Sequence, residues 1–337
     1  MSESKSLQVY INKYFEKQLK DDSITEICYN GKNNIWALHD NGKWASYETE
    51  LTYKSAKAIT KVIASAKDTE ITINKPILSS TLANGERVQV VIPPAMKQNY
   101  ISITIRKPSK KKISMEEYEE QGLFLVEKSK KKTQAKNAIL NELYISKKYK
   151  EFIIESVEQG KTIIVSGSTG SGKTTFMKTL IDFIPKLSRI ISIEDVEELI
   201  FKEDDNCVQL FYPSEAKATD FLNATTLLKS SLRMRPDRIV LAELRGAETF
   251  DFINIVNSGH GGSITSCHAG SVAETFSRLS MMTLLSESGQ KVPYHVIEEI
   301  LKYAIDVIIH MSDTDEGRRI TEIYYKDAKH LKQKDKL

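Results

Sequence analysis

Short runs of alternating apolar and polar residues, punctuated by Asn-Gly pairs, open the pattern of this chain. Runs at 24–29, 35–38 and 44–47 are separated by Asn30-Gly31 and Asn41-Gly42. Such a pair between alternating segments is the strongest local hairpin signal, because both residues tolerate positive φ. A β-meander is expected. Over 51–67, Ala56, Ile59, Ile63 and Ala66 recur three or four apart, the spacing of one face of an amphipathic helix. Asn84-Gly85 then joins 77–83 to 87–92, Pro93-Pro94 ends that strand, and 101–106 alternates again. Residues 1–109 therefore read as a small N-terminal α+β domain.

The pattern then changes character. Lysines crowd 107–150 (Lys107, Lys110, Lys111, Lys112, Lys128, Lys130, Lys131, Lys132, Lys147, Lys148, Lys150), and 110–136 reads as a linker. A solvated connector is the plain meaning; contact with an anionic membrane surface or with nucleic acid is the other. Residues 137–159 predict one helix. Buried-strand runs at 161–165, 190–193, 239–242, 263–266 and 307–310 alternate with helical patterns. That alternation predicts a mainly parallel sheet with helices on both faces, an α/β domain over 137–337.

Composition bounds the function more than it identifies it. The 337 residues carry 48 Lys and Arg against 45 Asp and Glu, a formal charge of +3. So small an excess does not imply a nucleic-acid partner, and direct nucleic-acid binding is not expected. Cys28, Cys207 and Cys267 are odd in number and far apart, which suggests buried thiols and no disulfide framework. The first residues lack the apolar core of a signal peptide, and no run approaches the roughly 18 apolar residues of a membrane span. A cytoplasmic protein, or one peripheral on the inner face of a membrane, is expected.

Ser166-Gly167-Ser168-Thr169-Gly170-Ser171-Gly172-Lys173-Thr174-Thr175 fills every fixed position of the G-x-x-x-x-G-K-[ST] phosphate loop, between a strand and a helix as it must be. Glycines let the backbone curl so that successive amides, from Ser168 to Thr175, face one anion. Lys173 supplies a charge for the β- and γ-phosphates of ATP, and the Thr174 hydroxyl a ligand for Mg²⁺.

Three further constellations follow. The run 189–198 is a strand ending in Glu194, Asp195, Glu197 and Glu198; strand C-termini of α/β sheets face ligands. A helical turn there would bring Glu194 and Glu198 to one side, either one able to hold the attacking water; an acidic helix N-terminus is the bland alternative. The run 236–243 ends in Glu243, the acid expected near Mg²⁺, acting through its water shell. Glycines at 259–262 precede a strand that ends at His268, which suits a γ-phosphate sensor; a structural histidine near a turn is the rival.

Taken in order, the phosphate loop, Ile193-Glu194-Asp195-x-x-Glu198, Arg235-Pro236-Asp237-Arg238…Glu243-Leu244-Arg245-Gly246 and Gly259-His260…His268-Ala269 resemble the secretion-superfamily traffic ATPases. Ile24 to Gly31, Asn84 to Gln89 and Ile103 to Ser109 look like the type IV secretion branch, and most like the Cag-type ATPase within it. The resemblance implies a RecA-like motor domain in a homo-hexamer, its N-terminal ring stacked on the ATPase ring, with nucleotide at the junction of the two domains. It implies that Arg87, Arg106 and Arg235 reach that nucleotide, that Glu198 positions water, that Glu243 lies near Mg²⁺, and that His268 is the His-box histidine. Inner-membrane components of a secretion channel are the implied partners. Ala242 stands where the family has glycine, and Ser266 where it has threonine. The implied function is an ATP-hydrolysing motor for substrate export or channel assembly. A pilus-retraction or type II secretion motor, a nucleotide-dependent scaffold with little turnover and a small-molecule kinase are the rivals.

Overall fold

A computed structural model describes residues 2–109, 112–217 and 219–328. The first sheet holds β1 (Ile24–Tyr29), β2 (Asn34–His39), β3 (Trp44–Glu48), β4 (Ile77–Thr81), β5 (Arg87–Val91) and β6 (Ser102–Arg106). They lie in the order β3-β2-β1-β6-β5-β4, each pair antiparallel. The hairpin turns carry Gly31, Gly42 and Gly85 at φ +84°, +78° and +91°, conformations that cost a residue with a Cβ. Helices α1 (Ser2–Lys20) and α2 (Tyr53–Ser65) bury Leu7, Ile11, Phe15, Ala56, Ile59 and Ile63 against Ile27, Val90 and Ile103. The alternating pattern gave no sign of α1, whose apolar stripe is narrow and flanked by polar residues.

The connecting segment contains α3 (Met115–Glu120), α4 (Val126–Ile145) and α5 (Tyr149–Glu158). The single helix expected over 137–159 is two, because Lys147 adopts φ +55° and a left-handed residue interrupts the helical hydrogen-bond ladder.

The second sheet comprises β7 (Ile163–Gly167), β8 (Ile190–Glu194), β9 (Cys207–Phe211), β10 (Arg238–Leu244), β11 (Ile264–His268), β12 (Val307–Thr314) and β13 (Gly317–Tyr325). Its order is β13-β12-β7-β11-β10-β8-β9, and every pair is parallel except β12·β13. Helices α6 (Lys173–Ile181), α7 (Ala224–Ser231), α8 (Glu248–Asn257), α9 (Val272–Thr283) and α10 (Tyr294–Ala304) complete the unit. One apolar cluster joins α5 and α6 to β7 and β12; another joins α7 to α10 to the opposite face. Among the described residues no helix is long and apolar enough to cross a membrane.

The two sheets share core. Val91, Ala95 and Met96 belong to the cluster of Val208, Leu210 and Leu227. Ala95 O accepts the Phe211 amide at 3.0 Å, which covers the otherwise open edge of β9. The polar part of the junction lies where β8, β9 and β10 begin. Arg189, wholly buried, donates to Met234 O (2.7 Å), Asn206 Oδ1 (2.7 Å), Asn30 Oδ1 (3.0 Å) and Thr104 Oγ1 (3.3 Å). Asp237 accepts from the Trp44 indole and from the Arg189 amide, both at 2.8 Å. The strands of the first sheet are thus tied to the starts of the parallel strands, while its β5–β6 connection reaches the end of β9 and, through Lys97 at 2.7 Å, Glu197 beyond β8; the phosphate loop hangs from the end of β7.

Candidate active site

Gly167 closes β7 at φ +155°, and a Cβ there would sit 2.3 Å from Met311 O. The loop then turns through Gly170 (φ +83°) to Gly172 (φ +92°), the N-cap of α6, which no side chain caps. The first amides of α6 therefore remain free to bind an anion, reinforced by the helix dipole. Ser168, Thr169 and Gly170 form the exposed tip, Ser171 is buried, and Thr174 and Thr175 lie in the first helical turn. Lys173 is buried, and its ammonium donates to Gly167 O (3.0 Å), Ser168 O (2.8 Å) and His268 Nδ1 (3.3 Å). Burial pushes its pKa down, with Glu243 opposing.

His268 reaches the loop because β11 and β7 pair in register, His268 opposite Gly167. Since an ammonium can only donate, Nδ1 accepts from Lys173, and Nε2 carries the proton toward Glu243 Oε1 at 3.1 Å. Arg245 joins Glu243 (3.0 Å) to Asp195 (2.5 Å). Lys173, His268, Glu243, Arg245 and Asp195 thus form one chain across β7, β11, β10 and the acidic box. The sequence displayed Asp195 and Arg245 without marking either as part of this chain; only the adjacency of β8 and β10 joins them.

The acidic box does not turn helical. Residues 195–197 form a bend, because the wholly buried Glu194 side chain holds them: its Oε2 accepts the amides of Glu198 (3.0 Å) and Leu199 (2.8 Å). Its Oε1 accepts from Ser192 Oγ (2.9 Å) and Gln209 Nε2 (3.3 Å). Glu194 has no free oxygen for a water. Glu198 is exposed, without a hydrogen bond or ion pair to its carboxylate among the described residues.

A divalent cation fits this donor set in one manner. No group of three or more acidic, His or Cys side chains is gathered among the described residues. Thr174 and the enclosed Glu243 would hold Mg²⁺ together with phosphate oxygens and water, the coordination that ion favours.

The three arginines lie elsewhere. Arg87 and Arg106 are paired across β5 and β6, with Glu26 opposite Arg106 on β1. Arg106 Nε is 3.5 Å from Glu26. Arg235, at φ +57°, binds Asp237 at 3.2 Å and acts electrostatically on Glu26. All three therefore gather at the edge where β8 and β10 start. The loop is at the other edge, a five-residue strand or about 16 Å away. The expected meeting of these arginines with the loop does not occur within one chain, because the first sheet docks on Arg189 and Asp237.

Ala242 lies where the β10·β11 register shifts, between Leu241 and Leu244. Its carbonyl accepts Ser266 Oγ at 2.7 Å. It is not among the positive-φ residues, so alanine is compatible with this backbone.

Residues 16–314 match the family model described as Type II/IV secretion system protein. A VirB11 type IV secretion system protein of Brucella abortus is 43% identical over 315 residues, covering 91% of this chain and 86% of that protein. PtlH of Bordetella pertussis is 37% identical over 316 residues, 92% of each. The crystal structure of the Brucella suis VirB11 ATPase, in complex with sulphate, superposes with a TM-score of 0.87 at 38% identity, covering 96% of this chain and 98% of that one. The chain belongs to the type II/IV secretion system protein family. It is an ATPase of the type IV secretion branch.

Proposed function

We propose that the chain is a RecA-like motor that hydrolyses Mg-ATP in a homo-hexamer at the cytoplasmic face of the inner membrane, driving export or assembly at a type IV secretion channel. The observation that carries the reading is the separation of Arg87, Arg106 and Arg235 from the phosphate loop of their own chain. Three clustered guanidiniums beside one buried carboxylate suit a phosphate chain, and a ring neighbour would present its loop to them. Mg²⁺ would supply charge neutralisation on the β- and γ-phosphates. Lys173 and the α6 amides bind the phosphates, Glu198 accepts a proton from water, and Glu243 and His268 hold Lys173 in place. When Lys173 turns to phosphate, His268 loses a donor, so the bound state is felt along β11 and β10. The neighbour's arginines lose their partner when the γ-phosphate leaves, which turns hydrolysis into movement between subunits.

Subunit mixing tests this. Lys173→Ala and Arg106→Ala proteins should each be inactive, yet a mixture should regain part of the wild-type turnover, because some interfaces then pair an intact loop with an intact arginine cluster. No recovery on mixing, with hexamers formed, would remove the arginines from the neighbour's site.

A further inference from the structure

A fourth arginine stands directly on the phosphate loop. The β12·β13 hairpin is anchored to the loop-bearing strand: β12 pairs with β7 down to Met311 opposite Gly167. Its turn is pinned by Thr314 Oγ1 donating to Gly317 O at 2.7 Å, with Gly317 at φ +95°. The next residue, Arg318, extends back over the loop. A Cβ on Gly172 would lie 3.1 Å from Arg318 Cδ, 3.6 Å from Nη1 and 3.7 Å from Nε. Glycine at 172 thus provides both the left-handed N-cap and the space this side chain occupies.

The guanidinium of Arg318 has no hydrogen bond or ion pair among the described residues, although Asp313 is its cross-strand neighbour. Within the loop itself Lys173 is the single cation, and it is already shared between carbonyls and His268. A nucleoside triphosphate brings several negative charges to this point, and an arginine's planar fork takes two phosphate oxygens at once. Arg318 lies beyond the family match, which ends at residue 314, so no motif marks it.

We propose that Arg318 is a nucleotide-binding residue, contacting the phosphate chain from the hairpin side in the same chain. It lies beside the amide run that binds the non-transferred phosphates. It therefore binds ATP and ADP alike and sets affinity more than the rate of the chemical step. The inference rests on the phosphate loop being the nucleotide site.

The test uses full-length wild type, Arg318→Ala, Arg318→Lys and Lys173→Ala, with a fluorescent ADP analogue for affinity and phosphate release from MgATP for turnover. Arg318→Ala should weaken ADP binding and raise KM about tenfold with kcat within about threefold, as removal of a charge-assisted contact predicts. Arg318→Lys should recover part of the loss, and nucleotide-free wild type and the two Arg318 variants should melt together, since the Arg318 side chain has no partner to lose. ADP affinity within about twofold of wild type in Arg318→Ala, alongside lost affinity in Lys173→Ala, overturns the role of Arg318. Wild-type affinity in Lys173→Ala overturns the loop as the nucleotide site, and the inference with it.

Discussion

The ammonium of Lys173 lies 3.3 Å from Nδ1 of His268. This contact fixes the tautomer of His268, because its other nitrogen must then donate to Glu243 at 3.1 Å. The loop lysine and the acid at the end of β10 are thus bridged by one imidazole ring. His268→Ala should leave nucleotide affinity within about threefold and reduce kcat about 10- to 100-fold, a lost transition-state contribution without lost ground-state binding. Equal losses in affinity and kcat would show that the ring only supports the loop.

The two glutamates of the acidic box should separate by type of defect. With Glu198 in its proposed role of proton acceptor, Glu198→Gln keeps shape and removes that role, so turnover should fall at least ~100-fold with binding and melting temperature retained. Glu194→Gln places an NH₂ group where both oxygens now accept, including two backbone amides. It should lower stability by roughly 1–3 kcal/mol. A stable, inactive Glu194→Gln protein beside an active Glu198→Gln protein would exchange the roles.

Glu26 makes stability depend on pH. Burial, opposed by Arg106, Arg235 and Arg189, pushes its carboxyl up from 4.5 to about 7. The folded state therefore holds a proton that the unfolded chain releases between those values, and stability falls as pH rises from 4.5 to 7, then levels off. The shift corresponds to at most about 3 kcal/mol. The stability of Glu26→Gln relative to wild type should rise by up to that amount over the same window, measured by urea unfolding at each pH. A pH-independent difference would show that Glu26 is ionised throughout.

Ala242 should not limit turnover. Its backbone has no positive φ, and the bulge leaves its carbonyl bonded to Ser266. Ala242→Gly should change kcat by less than about threefold while costing about 0.5–1 kcal/mol of stability through added backbone freedom. A large gain in phosphate release on substitution would mean that the methyl crowds the site.

What the sequence determined by itself was whatever local chemistry specifies. Asn-Gly turns, the apolar spacing of α2, the glycines and lysine of the phosphate loop, and the apolar runs of β7, β8, β10, β11 and β12 each follow from nearby residues. Three elements it missed gain their stability from distant partners: α1 from a narrow stripe over the first sheet, β9 from Ala95 and Met96 along its edge, and β13 from β12 together with Tyr144, Phe152 and Phe276 of the helices packed on it. The break at Lys147 was equally hidden, because lysine carries no signal for positive φ. In the site, residue types were legible and roles were not. Glu194 and Glu198 look alike in sequence, and only burial and two backbone amides make one a brace and leave the other open to solvent. The tertiary structure alone decided which edge of the parallel sheet the first sheet occupies. Arg189 and Asp237 fix that edge through Asn30, Thr104 and Trp44, contacts spanning 85 to 193 residues of sequence. No periodicity reports such contacts, since the energy of joining them appears only once the chain between has folded.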